Sequence, residues 1–129
     1  MTELRKIFYV EDQEDIQMVA RVALEAIGGY EVRICSSGEQ ALEEVEAFEP
    51  DIILLDVMMP GMDGPSTLLE MKKISALDNI PVAFMTAKIQ PSEVSEYIAL
   101  GAVDVISKPF DPMTLSDQVM KIWQAHCNT

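Results

Sequence analysis

"DIILLDVMMPGMDG", Asp51 to Gly64, decides the fold. Four consecutive large aliphatics, Ile52 to Leu55, end abruptly on the carboxylate of Asp56, and a loop holding Pro60, Gly61 and Gly64 follows. A run that short and continuously apolar is the pattern of a strand covered on both faces, as in a parallel sheet layered between helices. IFYV (Ile7 to Val10) and VAFM (Val82 to Met85) have the same character. EVRIC (Glu31 to Cys35) and VDVIS (Val103 to Ser107) carry a charge inside the run, as expected of less covered edge strands.

Helical patterns separate these runs. Ile16, Val19, Ala20, Ala23, Leu24 and Ile27 fall on one helical stripe that Gly28-Gly29 ends. Ala41, Leu42, Val45 and Phe48 mark a second helix, closed by Pro50. Leu68, Met71 and Ile74 mark a third, with Pro65 in its first turn, where a missing N–H is tolerated. Val94, Tyr97 and Ile98 give a fourth that begins near Pro91, and Leu115, Val119 and Ile122 a fifth. Five strand–helix units in a row predict an α/β domain, a doubly wound five-stranded parallel sheet with helices on both faces. With the fully apolar strands inside, the order is 2-1-3-4-5, the flavodoxin-like arrangement.

Composition narrows the function. The chain has 129 residues, enough for one domain with a substantial core, and the expected extent of that domain is 1–129. Twenty-two acids against nine Lys and Arg give a formal charge of −13, with no basic stripe, which argues against nucleic-acid binding. No segment approaches the roughly 20 apolar residues of a membrane span, and the N-terminus lacks a signal-peptide apolar core. Cys35 and Cys127 have neither zinc nor CxxC spacing and read as two reduced thiols of a cytoplasmic protein.

In a sheet of this order, ligands bind at the carboxyl ends of the strands, at the switch point between the first and third. Glu11 and Asp12 follow the first strand, Asp56 the third, Thr86 the fourth, and Lys108-Pro109 the fifth. Taken singly, each is an ordinary cap, turn or solvated residue. Together, polar groups on four tips that converge on one crevice make a site. Two carboxylates about 4 Å apart repel by roughly 4 kcal/mol at an effective dielectric of 20, so three clustered acids call for a cation. Lys108 supplies one charge. Hard oxygens without His or thiolate suit Mg²⁺ for the rest. An aspartate beside a metal, a lysine and a hydroxyl matches phosphoryl transfer through an aspartyl phosphate. The apolar strand then holds Asp56 rigidly in place.

YVED at 9–12, DIILLDVMMPGMDG at 51–64, MTA at 85–87 and KPF at 108–110 together resemble the receiver domain of two-component response regulators. The likeness runs from about Leu4 to Ala125 and implies a CheY-like domain, which is expected to stand alone. It implies that Asp56 is the phospho-acceptor, served by a histidine kinase or a phosphotransfer protein. It also implies Mg²⁺ ligation by Asp12, Asp56 and the Met58 carbonyl, with Glu11 acting through water. Thr86 becomes the switch hydroxyl, and Lys108 the phosphate-pairing base, aimed by a cis Lys108–Pro109 bond. Activation alters the face formed by the fourth helix, fifth strand and fifth helix, which meets a downstream protein. The chain is expected to be a monomer or weak dimer, and to catalyse only its own phosphorylation and dephosphorylation.

Three departures stand out. The acid pair is Glu-Asp, Val105 occupies the position where many receivers carry Tyr or Phe, and Met58 and Lys88 sit where the family tunes its dephosphorylation rate. With Val105 there, the signal is expected to leave through movement of residues 87–91 and of the fourth helix, with Tyr97 reporting it. Among rival readings, a phosphatase of haloacid dehalogenase type expects an acid at position 58, where Met stands. A flavodoxin-like FMN carrier expects a Ser-, Thr- and Gly-rich loop in place of EDQED. A pseudo-receiver lacks the acceptor or the lysine.

Overall fold

Every strand in the core is apolar at successive positions because both of its faces are covered. In the computed structural model, which describes residues 3–128, β1 (Lys6–Val10), β2 (Glu31–Cys35), β3 (Ile52–Asp56), β4 (Val82–Thr86) and β5 (Asp104–Ser107) form one parallel sheet. Its order is β2-β1-β3-β4-β5, as the alternation of runs and stripes predicts. Met1, Thr2 and Thr129 of the expected 1–129 domain lie outside the described residues. Alternate side chains of each strand enter opposite layers. Phe8, Val10, Ile53, Leu55, Val82 and Phe84 pack with α2 (Gly38–Phe48), α3 (Gly64–Met71) and α4 (Pro91–Leu100). Ile7, Tyr9, Ile52, Leu54, Ala83 and Met85 pack with α1 (Glu14–Arg21), its continuation over Val22–Ile27, and α5 (Leu115–Cys127). No helix among the described residues is long and apolar enough to cross a membrane.

The edge strands are the exposed ones. Glu31, Arg33 and Asp104 face solvent, which explains the charges inside those two runs. The helical stripes were only partly right. Ala20, Ala23 and Leu24 are buried, but Val19, Ile27 and Ile98 are largely exposed. The α1 pattern also widens to π-helical turns over Val22–Ile27 before Gly29 turns out with a φ of 78°. Ile74 lies beyond α3, in the turn that leads to the 3₁₀ segment Ser75–Leu77. On α5, Trp123 is buried beside Leu115 and Val119, while Ile122 is half-buried. Cys35 is buried and Cys127 exposed, and neither is paired.

Helix starts follow local chemistry. Ser37 Oγ accepts the Gln40 N–H to cap α2, and Asp63 Oδ1 accepts the Ser66 N–H to cap α3. Pro65 and Pro91 occupy the first turns of α3 and α4. These caps fix how the chain leaves the carboxyl ends of the strands, where the polar residues gather.

Candidate functional site

The strand tips are held together by hydrogen bonds that run on past the strands. Glu11 N–H donates to Cys35 O (2.9 Å), Val57 N–H to Met85 O (3.1 Å) and Lys108 N–H to Thr86 O (2.9 Å). Glu11, Asp56 and Lys108 therefore stand at the same end of the sheet, at the tips of β1, of β3 and, beyond β4, of β5. The Lys108–Pro109 bond is cis, as expected. Gly64 at the start of α3 sits against the Asp56 backbone. A Cβ there would lie 2.4 Å from Asp56 O and 2.8 Å from Val57 Cα, so only glycine lets the helix approach the tip this closely.

Lys108 Nζ lies at the centre. It donates to Glu11 Oε1 at 2.9 Å and to Asp56 Oδ1 at 3.1 Å. Glu11 is fully buried and Asp56 nearly so. Carboxylate oxygens of Glu11, Asp12 and Asp56 lie within 4.8 Å of one another. Asp12 Oδ1 is buried and has no hydrogen-bond partner. Three carboxylates against one ammonium leave the cluster negative.

The titration of the cluster reflects this imbalance. Burial, followed by the Glu11 charge, pushes the Asp56 carboxyl up to about 6, against the pull of Lys108. Burial by itself lowers the Lys108 ammonium, but its hydrogen bond to Glu11 and the Asp56 and Glu11 charges outweigh this and hold it above the usual lysine range. Burial and the neighbouring Glu11 raise the Tyr9 phenol far above its ordinary value.

Glu11, Asp12, Asp56 and Lys108 converge on one crevice. Thr86 is buried at the end of β4, and its Oγ1 accepts the Lys88 N–H at 3.0 Å. The Met58 side chain is exposed, as suits a residue expected to act through its carbonyl. Tyr9 was missed. Its hydroxyl donates to Glu11 Oε1 at 3.0 Å from inside the apolar layer. Its position two residues before Glu11 was the available signal, because residues i and i+2 of an extended chain share a face.

An unpartnered buried carboxylate oxygen beside two more carboxylates, with no soft donor among them, fits a hard divalent cation. The fold and the crevice thus define a doubly wound α/β protein with an acidic centre at its switch point. The family model described as the response regulator receiver domain matches residues 7–120, and the chain belongs to this family.

The chain is 35% identical over 118 residues to the alkaline phosphatase synthesis transcriptional regulatory protein PhoP of Bacillus subtilis, covering 92% of this chain and 48% of that protein. It is 34% identical over 111 residues to the regulatory protein AtoC of Escherichia coli, covering 86% and 23%. The chain thus spans half or less of the length of these curated relatives. Among solved structures, Vibrio cholerae chemotaxis protein CheY4 superposes with a TM-score of 0.86 at 28% identity, covering 93% of this chain and 99% of that one. The N-terminal domain of a response regulator receiver protein from Methanoculleus marisnigri gives 0.74 at 39% identity, covering 91% and 94%.

Proposed function

We propose that this chain is a phospho-accepting signalling domain, a single receiver that takes a phosphoryl group onto Asp56 and switches a protein-binding face. The observation that carries the reading is the Lys108 ammonium bridging Asp56 and Glu11 beside the unpartnered oxygen of Asp12. Asp12, Asp56 and the Met58 carbonyl would hold Mg²⁺, with Glu11 acting through water. When bound, the ion supplies positive charge to offset that of the transferring phosphoryl oxygens.

The chain's own residues do the rest. An Asp56 oxygen attacks the phosphorus of a phosphohistidine on a histidine kinase or phosphotransfer protein. A P–O bond forms, the P–N bond breaks, and its electron pair leaves on the imidazole, which takes a proton from water. Negative charge passes from the Asp56 carboxylate to the phosphoryl oxygens, and Lys108 follows it across. Thr86 Oγ turns its O–H to a phosphoryl oxygen, giving up its place beside Lys88 N–H.

The outlet is the face of α4, β5 and α5. A groove of about 460 Å³ there is lined by Ile89, Val94, Val105, Ile106, Gln118, Lys121 and Ile122, among others. Val105 is branched at Cβ and gains little from a rotamer change. Residues 87–91 run straight into α4 at Pro91, so their movement is carried to the helix along the chain, and Tyr97 of α4, edge-on against Phe84 at 5.2 Å, is placed to report it. The partner is a protein, reached from the cytoplasm by a monomer or weak dimer. The net charge of −13 disfavours DNA.

A small acyl phosphate tests the reading. Phosphate incorporation is expected with Mg²⁺ and absent with a chelator. Asp12→Ala is expected to need at least roughly ten times more Mg²⁺ for the same rate, since losing even an outer-shell partner of a metal ligand costs about 10–100-fold in affinity. Glu11→Gln is expected to need less than that. Labelling that proceeds unchanged in chelator contradicts the proposal.

A further inference from the structure

The hydroxyl of Tyr9 has no packing role. The ring fills the layer between the sheet, α1 and α5, which a phenylalanine would fill equally well. Burying a hydroxyl costs free energy unless it is hydrogen-bonded, and this one has a single partner, the Glu11 carboxylate. Glu11 Oε1 receives both Tyr9 Oη–H (3.0 Å) and Lys108 Nζ–H (2.9 Å), which fills its two lone pairs. Glu11 Oε2 accepts the Gln13 N–H at 3.1 Å. The carboxylate is thus clamped from the core side by Tyr9 and from the α1 side by Gln13, and Lys108 rests on it.

We infer that Tyr9 is a positioning residue for phosphoryl transfer: through Glu11 it holds the Lys108 ammonium within reach of Asp56. This rests on the proposed function and adds a division of labour within it. Glu11 is first of all the anchor of Lys108, and Asp12 and Asp56 carry the cation. The geometry gives the reason. Lys108 has a long, flexible stem and two carboxylate partners, and one of those partners loses its charge when it becomes an acyl phosphate. A second anchor that does not react keeps the ammonium in the crevice at that moment. A bare carboxylate of glutamate, one methylene longer than aspartate, has rotamer freedom that the Tyr9 and Gln13 bonds remove.

The test is a double-mutant cycle on labelling by a small acyl phosphate at saturating Mg²⁺, using Tyr9→Phe and Lys108→Met. Tyr9→Phe is expected to slow labelling three- to tenfold, with the Mg²⁺ requirement changed less than twofold. In the Lys108→Met background the same change is expected to have no further effect. A merely structural tyrosine slows both backgrounds by the same factor, and that result, or an unchanged rate in Tyr9→Phe alone, overturns the inference. Failure of the parent protein to label would instead strike at the proposed function. For that case, the ¹⁵N signal of the Lys108 ammonium decides the positioning separately. It is expected to be slow to exchange in the parent and broadened in Tyr9→Phe, and equal signals overturn the role.

Discussion

Asp56→Asn is expected to make the metal-free protein more stable at neutral pH while abolishing phosphate uptake. The Asp56 carboxyl titrates at about 6 in the folded state against 3.8 as an ordinary aspartate, mainly because it is buried and faces Glu11. Its raised value means that the folded chain binds the proton more tightly than the unfolded one. Stability from this group is therefore fully present below about pH 4 and is lost as pH rises through 6. The loss amounts to roughly 3 kcal/mol at pH 7.5. An uncharged amide of the same size avoids it, apart from what the amide forfeits at Lys108. The melting temperature of Asp56→Asn is expected to exceed that of the parent by on the order of 10 °C at pH 7.5, and by only about a third of that at pH 4.5. A gap that is equal at both pH values, or of opposite sign, contradicts this account of the cluster. The acceptor of such a site is less stable than its amide because a charge must be kept buried for chemistry.

Lys108→Met has the opposite effect. It removes the only cation that touches Glu11 or Asp56 among the described residues, while keeping most of the stem's volume. Two carboxylates, one fully buried and one nearly so, then face each other with Asp12 close by. Breaking a buried ion pair from one side costs about 3–5 kcal/mol. Metal-free Lys108→Met is expected to lose roughly that much in denaturant unfolding, and millimolar Mg²⁺ is expected to restore more stability to it than to the parent. Equal stabilisation of the two proteins by Mg²⁺ contradicts the idea that lysine and cation share one negative cluster.

Much of this was legible from the residues. Continuous apolar runs told buried strands from edges because a parallel sheet covers both faces of its inner strands, and the charges of EVRIC and VDVIS told the edges. The polar residues at the tips were legible because a strand's direction fixes which end of the sheet receives them. Helical stripes were less reliable. Val19, Ile27 and Ile98 satisfy the period, yet they lie on flanks that no neighbouring element covers, and spacing cannot say how wide the covered stripe is. The π-helical turns of Val22–Ile27 left no mark in the periodicity. The sequence places Tyr9 on the same face as Glu11, two residues on, but an aromatic inside an apolar strand does not say whether its hydroxyl reaches that carboxylate. The bridging of Glu11 and Asp56 by one ammonium is a long-range fact, joining positions 97 and 52 residues apart, and only the folded chain brings them together.

The phosphoryl group is expected on Asp56 and nowhere else. Treating the protein with a small acyl phosphate and Mg²⁺, then reducing the acyl phosphate with borohydride, converts the acceptor aspartate to homoserine. Peptide mass spectrometry then finds which residue has changed. Homoserine is expected at position 56 alone, with no conversion anywhere in Asp56→Asn. Conversion at Asp12 or another acid in the parent, or undiminished phosphate uptake by Asp56→Asn, contradicts it.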